Sequence, residues 1–228
     1  NFSVRKVFLI GFVVLVVALF VFFASGQLKS SPILNVNSSC PNPLVIETPV
    51  DLSKVTAILY PGQVRGEDYK RHGGFRFDNA GGNEIEVKAP FDAVINGASR
   101  YIEIGEVQYL VDFETECGIK YRFDHLLVLS PKLAAALANL PAPKPDDSRT
   151  SQIPGNISVK KGEVIATSIG FKNNVFVDFG VYESKTIFES PTSNPVCWFD
   201  LLNSVDMEKV RSMPSADGQS GTKSDVCK

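Results

Sequence analysis

The chain opens on an unbroken apolar run and then changes character. No charged residue occurs from Val7 to Ala24 (VFLIGFVVLVVALFVFFA). As a helix, ~18 residues rise about 27 Å, close to the thickness of a hydrocarbon core. Beyond it the pattern becomes short and alternating, which predicts strands. Val55–Tyr60 is an apolar strand stopped by Pro61-Gly62, Glu84–Val87 alternates, and Ala89–Ile95 enters a strand through Pro90. Tyr101–Ile104 and Val107–Phe113 flank Gly105, and Ile119–Phe123 returns as a hairpin partner after a turn over Glu114–Gly118. Ile157–Ile165 reads as strand, turn at Gly162, strand. In Val175–Tyr182, the clearest strand, Val175, Val177, Phe179 and Val181 share one face, and Phe176, Asp178, Gly180 and Tyr182 the other. One segment departs from the period of two. Ser130–Asn139 has a serine N-cap, proline at the first helical position and an alanine-rich body, and it ends at the proline-rich stretch Pro141–Pro145. It predicts a short helical insertion on the surface. Many short strands and one such helix predict an all-β sandwich or flattened barrel, preceded by one transmembrane helix.

The flanks of the apolar run orient it. Arg5 and Lys6 precede it and only Lys29 follows closely, so residues 1–6 are expected as a cytoplasmic stub and the remainder outside. A cleaved signal peptide, with Ala24-Ser25-Gly26 at the cut, is the alternative and would give a secreted protein. The run exceeds the usual ~7–15 apolar residues of such a peptide, which favours a single-pass membrane anchor over 7–24. Residues 25–54, rich in Ser, Asn and Pro, are expected as a stalk. A β domain follows over 55–190 with an insertion at about 130–156, and then a C-terminal extension over 191–228. Within the extension Cys197–Leu202 packs an apolar patch, and the tail after Met213 is polar and expected to be loose.

Four cysteines, Cys40, Cys117, Cys197 and Cys227, lie beyond the run, where disulfides persist in an extracytoplasmic compartment. None stands in a C-x-x-C pair, which gives a cysteine zinc site no support. Three pairings exist, Cys197 is expected with Cys40 or Cys227, and free thiols remain the alternative. Asn37-Ser38-Ser39 and Asn156-Ile157-Ser158 are glycosylation acceptors where the host modifies them. A net charge of -2 and a pI near 5.8 offer no basic field, which excludes nucleic acid as a partner.

The candidate chemistry gathers around two histidines, His72 and His125. His72 opens the stretch His72-Gly73-Gly74-Phe75-Arg76-Phe77-Asp78. Asp178 is a charge in the middle of an apolar strand and requires a partner if buried. Phe176 and Tyr182 flank it on the same face as core filling or as an aromatic floor for a ligand.

In order and spacing, these segments resemble the lysostaphin-like zinc endopeptidases, whose duplicated hybrid motif fold is shared with biotinyl and lipoyl carrier domains. The resemblance covers roughly Val55–Tyr182. His72-Gly73-Gly74-Phe75-Arg76 looks like the family's H-x-G-x-D, Ala89–Ile95 like its A-P-x-x-G-x-V, and Phe123-Asp124-His125-Leu126 like its Y-x-H-L. Val159–Ala166 looks like its V-x-x-G-x-x-I-G hairpin, and Phe176–Val181 stands at its H-x-H-F-E-V. The Met-Lys-Met attachment pattern of the carriers is absent. In active members the first histidine, the aspartate and the last histidine of H-x-H bind zinc, and the other two histidines assist the attacking water.

Carried over, His72 and His125 are kept, Arg76 replaces the aspartate ligand, Phe176 an assisting histidine, and Asp178 the last ligand. An arginine has no lone pair to give a metal. Together with the apolar run, the resemblance therefore implies a membrane-anchored, extracytoplasmic, peptidase-like domain that is catalytically inactive and carries no cofactor. In it Arg76 and Asp178 pair where zinc once sat, and the domain binds envelope glycan or peptide or a partner protein. The alternative is a zinc metalloendopeptidase acting on cell-envelope peptides. Its altered ligand set would be His72 and Asp178, with His125 assisting catalysis and Asp78 supplying a ligand through a slipped register.

Overall fold

The computed structural model describes residues 40–65, 67–155, 157–183, 192, 194–216 and 224–227. The expected stub, the expected membrane span, residues 25–39 of the expected stalk and the tail over 217–223 lie outside the described residues. No helix among the described residues is long and apolar enough to cross a membrane.

The described chain is mostly β-strand. It begins with β1 (Ala57–Leu59), a small hairpin of β2 (Gln63–Arg65) and β3 (Asp68–Lys70), then β4 (Gly73–Arg76) and β5 (Val87–Lys88). Three long strands follow: β6 (Ala93–Glu103), β7 (Glu106–Glu114) and β8 (Ile119–Leu129). After α1 (Pro131–Ala136) come β9 (Ser151–Gln152), β10 (Ser158–Val159), β11 (Val164–Ile169), β12 (Phe176–Glu183) and β13 (Pro195–Val196). A 3-10 turn (Trp198–Leu201) leads to α2 (Ser204–Ser212). The main sheet runs β1-β4-β12-β8-β7-β6-β10, with every named pairing antiparallel, while β2 and β3 form a separate two-stranded sheet.

Local chemistry explains the long hairpin. β6 and β7 close over Ile104 and Gly105, both at positive φ (49° and 82°), and Glu103 faces Glu106 across the ladder. Two left-handed residues match the twist of the strands they join. β7 returns into β8 through Gly118 at φ 88°. The inward positions then build one aromatic core. Phe123 stacks on Phe179 at 4.8 Å between centroids and Phe113 on Tyr121 at 4.7 Å, while Trp198 meets Phe75 at 4.9 Å and Phe179 at 5.2 Å. Rings offset or tilted at these spacings gain quadrupole attraction beyond their buried area.

Several sequence expectations are corrected. The helix at Pro131 forms with Ser130 as its cap, the hydroxyl accepting from Leu133 N–H, yet Leu133 and Leu137 are buried, so it packs into the core and does not ride on the surface. A second helix, α2, starts at Asn203, whose side chain accepts from Val205 and Asp206 N–H. The stalk does not reach residue 54: Ile46, Val50 and Leu52 are core residues, and Ile46 N–H donates to Leu201 O at 2.8 Å. The extension from 191 supplies Trp198 and Phe199 to the same core, and its last described residues are pinned rather than loose. The strands around Gly162 do not pair with each other, because β10 pairs with β6 and β11 with β5 and β8. The disulfides are Cys40–Cys117 and Cys197–Cys227, the second being one of the two partners expected for Cys197.

Candidate functional site

The site is made by one irregularity in β8. Along β7 the register steps from Val111↔Phe123 to Tyr109↔Leu126, so Leu110 faces two residues, Asp124 and His125. This is a β-bulge, and His125 occupies its left-handed position at φ 62°. The bulge resets the alternation. Phe123 and Leu126 both point into the core, and the pair between them, Asp124 and His125, both line the cleft. The bulge is also where β8 changes neighbours: Ile119–Asp124 pair with β12, and Leu126–Leu129 pair with β11. A left-handed histidine is strained backbone, and such strain concentrates at functional positions.

The cleft over this point encloses about 790 Å³. Its floor holds Asp178 from β12, Asp124 and His125 from β8, and Tyr101 from β6. One wall is the β2–β3 hairpin with Arg65, Asp68 and Lys70, leading into His72, and Glu103 and Asp146 also line the cleft. His72 Nε2 lies 2.9 Å from Asp178 Oδ2, and His125 Nε2 is 3.8 Å from the same oxygen. His125 Nδ1 faces Glu103 Oε2 at 3.5 Å. The Tyr101 hydroxyl donates to Asp124 Oδ1 at 2.6 Å, and the His125 backbone N–H donates to the same oxygen at 2.8 Å. Gly74 makes room for this arrangement. It sits directly across from Asp178, and a Cβ there would crowd Val177 O at 2.6 Å and Asp178 Oδ1 at 3.1 Å.

Asp124 and Asp178 are direct cross-strand partners, and two carboxylates in that relation repel. Their surroundings drive them apart. Burial would raise Asp178, but the charge and hydrogen bond of His72, with the charges of His125 and Arg65, hold it at about 2. Burial dominates at Asp124 and pushes its carboxyl above the usual range against the His125 charge and the Tyr101 hydrogen bond, and the Asp178 charge adds to the rise. Burial, then the Asp124 charge, also raises the Tyr101 phenol, which stays a donor. A paired set of acids with opposed shifts can hold one proton at a defined position.

The expected Arg76–Asp178 pair does not form. Arg76 Nε and Nη2 donate to Asp78 Oδ1 at 3.1 and 2.8 Å, and Nη2 also donates to Asn174 Oδ1 at 2.8 Å. The cause is register. Directly across from Arg76 stands Phe176, with Asp178 two residues further along β12. The Phe176 ring stands between the two halves, 5.9 Å from the Arg76 guanidinium carbon and 4.4 Å from the His125 ring centroid. Phe176 thus lines the cleft as expected, whereas Arg76 and Asp78 do not. Asp78 is not slipped into the site either, since Arg76 and Thr56 engage it at the outer edge. Tyr182 is buried in place of lining the cleft, lying back over Gly180. His72, His125 and Asp178 are brought together. Sequence reasoning missed Tyr101, Glu103, Arg65 and Asp124, of which only Asp124 carried a signal, standing beside His125 in a strand with a polar residue too many for its period.

Among the described residues no group of three or more His, Cys, Asp or Glu side chains is disposed to hold a metal ion. No family model matches the chain, and no curated protein does. Among solved structures, Csd3 of Helicobacter pylori is similar at 13% identity and a TM-score of 0.43, over 71% of this chain and 35% of that protein. The aligned part is thus about a third of that protein's length.

Proposed function

We propose that this chain is an extracytoplasmic, peptidase-like domain of the duplicated hybrid motif type that binds an envelope peptide in its cleft and does not cleave it. The observation that carries this reading is the His72–Asp178 contact at 2.9 Å. These residues stand at two of the three zinc-ligand positions implied by the resemblance, and the His72 Nε2 is engaged by the Asp178 carboxylate. The third position is Arg76, which carries no lone pair and is bound to Asp78 and Asn174. A catalytic zinc takes three protein ligands and an open position. The residues present do not fit that requirement. When protonated, His72 supplies to Asp178 the positive charge that a metal would otherwise bring.

The ligand class follows from the walls. The cleft lining carries Arg65, Lys70 and Arg122 together with Asp68, Glu103 and Asp146, beside the rings of Phe176 and Tyr101. Charges of both signs beside aromatic rings suit a peptide with both charges and apolar side chains better than a neutral glycan. Two disulfides suit an oxidising compartment, in keeping with residues 7–24 as a membrane anchor and the domain outside.

Calorimetry and mass spectrometry on the full chain with cross-linked envelope peptides, with and without zinc, test the reading. Binding is expected, weakened about tenfold in Phe176→Ala, which removes an aromatic ring from the cleft lining (~1.4 kcal/mol). The peptides are expected to remain intact under both conditions. Zinc-dependent cleavage that disappears in His72→Ala would overturn it.

A further inference from the structure

Four residues near the chain end lie beneath the cleft wall that carries His72. Ser224 is buried. Its hydroxyl donates to Pro61 O at 2.6 Å and accepts from Val226 N–H at 3.2 Å and Cys227 N–H at 2.8 Å. Asp225 N–H donates to Gly62 O at 3.0 Å. Val226 packs onto Gly62, which sits at φ 73° and has no space for a Cβ against that side chain. Pro61 and Gly62 immediately precede β2, and Gly62 N–H closes the base of the hairpin on Lys70 O at 2.9 Å. Arg65 ties the hairpin to the site, with Nη1 on Tyr60 O at 2.8 Å and Nη2 on His72 O at 3.2 Å.

The other end of this segment is fixed in the core. Cys227 is bonded to Cys197, the residue before the 3-10 turn whose Trp198 packs against Phe75 and Phe179. The segment therefore bears on the hairpin with one side and is clamped to the aromatic core with the other. Both cysteines are buried, Cys197 at 6% and Cys227 at 2% exposed.

We infer that Ser224–Cys227, clamped by the Cys197–Cys227 disulfide, set the position of the cleft wall formed by β2, β3 and His72, with Ser224 as the positioning residue. The hydroxyl holds three backbone groups at once, one on the hairpin base and two on the tail, so its loss uncouples the two. Nothing here depends on what the cleft binds.

The test uses the full chain with Ser224→Ala, Ser224→Thr, the double variant Cys197→Ala/Cys227→Ala, and Cys40→Ala/Cys117→Ala as a control. Amide hydrogen exchange is read over residues 61–72 and over β7 and β8. Ring nitrogen resonances of the two histidines are read in parallel, with His72→Gln assigning them. Ser224→Ala and the Cys197/Cys227 variant are expected to speed exchange over 61–72 at least tenfold and to move the His72 Nε2 resonance, with β7 and β8 unchanged. Ser224→Thr is expected to stay near wild type, and the control pair to leave 61–72 unaffected. If the Cys197/Cys227 variant does not fold, Ser224→Ala decides alone. Unchanged exchange over 61–72, an equal rise in β7 and β8, or the same effect from the control pair would overturn the inference.

Discussion

Replacing Asp178 by asparagine isolates the charge at the centre of the site. Asn is nearly isosteric, and its Oδ1 can still accept from His72, so shape and one hydrogen bond survive while the anion is lost. Asp178 has only 13% of its side chain exposed, and its carboxyl falls from the ordinary 3.8 to about 2 because His72, His125 and Arg65 outweigh the effect of burial. At roughly 1.4 kcal/mol per tenfold change in proton affinity, that fall contributes on the order of 2 kcal/mol to folding. The sign is fixed by the direction. A depressed carboxyl contributes fully above its unfolded value and loses the contribution as pH falls through about 2. Wild type and Asp178→Asn, followed by urea unfolding from pH 6 to pH 2, should therefore differ by about 2 kcal/mol at pH 6 and converge at the acid end. In a domain of this size, about 2 kcal/mol corresponds to roughly 4–8 °C in Tm. Parallel curves over the whole range would show that the carboxylate gains nothing from its cations, and the electrostatic account of the site would fall.

Two further outcomes follow from packing and backbone geometry. His125 at φ 62° should make His125→Gly more stable than His125→Ala by about 1 kcal/mol in urea unfolding, since glycine alone enters that region without a Cβ penalty. Equal stability would mean the bulge relaxes in the variants. Leu133 is fully buried, so Leu133→Ala should cost about 3 kcal/mol in the same assay, and a loss under ~1 kcal/mol would return α1 to the surface that its sequence predicts.

Much of the fold could be read from alternation because most strands keep one face in the core. Val177, Phe179 and Val181 do so on β12, and the turns at Gly105 and Gly118 fall between strands where the glycines stand. The helix α1 was legible from Ser130 and Pro131, but its burial was not, because an alanine-rich body gives little hint of which side is covered. α2 was missed for a related reason. Only Val210 among its residues is buried and Val205 is exposed, so it has no apolar stripe to betray it. Its start is set by a polar cap at Asn203, a signal too common to stand alone.

The site was legible as a set of residues and illegible as a set of pairs. Alternation put Phe176 and Asp178 on one face of their strand, and the resemblance set Arg76 against them; directly opposed and i, i+2 positions share a face across an antiparallel pair. Which of them meet depends on register, and a shift of two residues changes the partner without changing the face. In the observed register Phe176 is opposite Arg76, and Asp178 is opposite Gly74. A glycine there leaves an open place above the carboxylate, and His72, just before β4, reaches it from the side. His125 reaches the same oxygen only because the bulge inserts one residue into β8, and without it the histidine would take the inward place that Leu126 holds. Two local irregularities, one missing Cβ and one extra residue, thus decide that Asp178 pairs with imidazole and not with guanidinium. Neither irregularity belongs to a periodic pattern, so no reading of period could have chosen between the two cations.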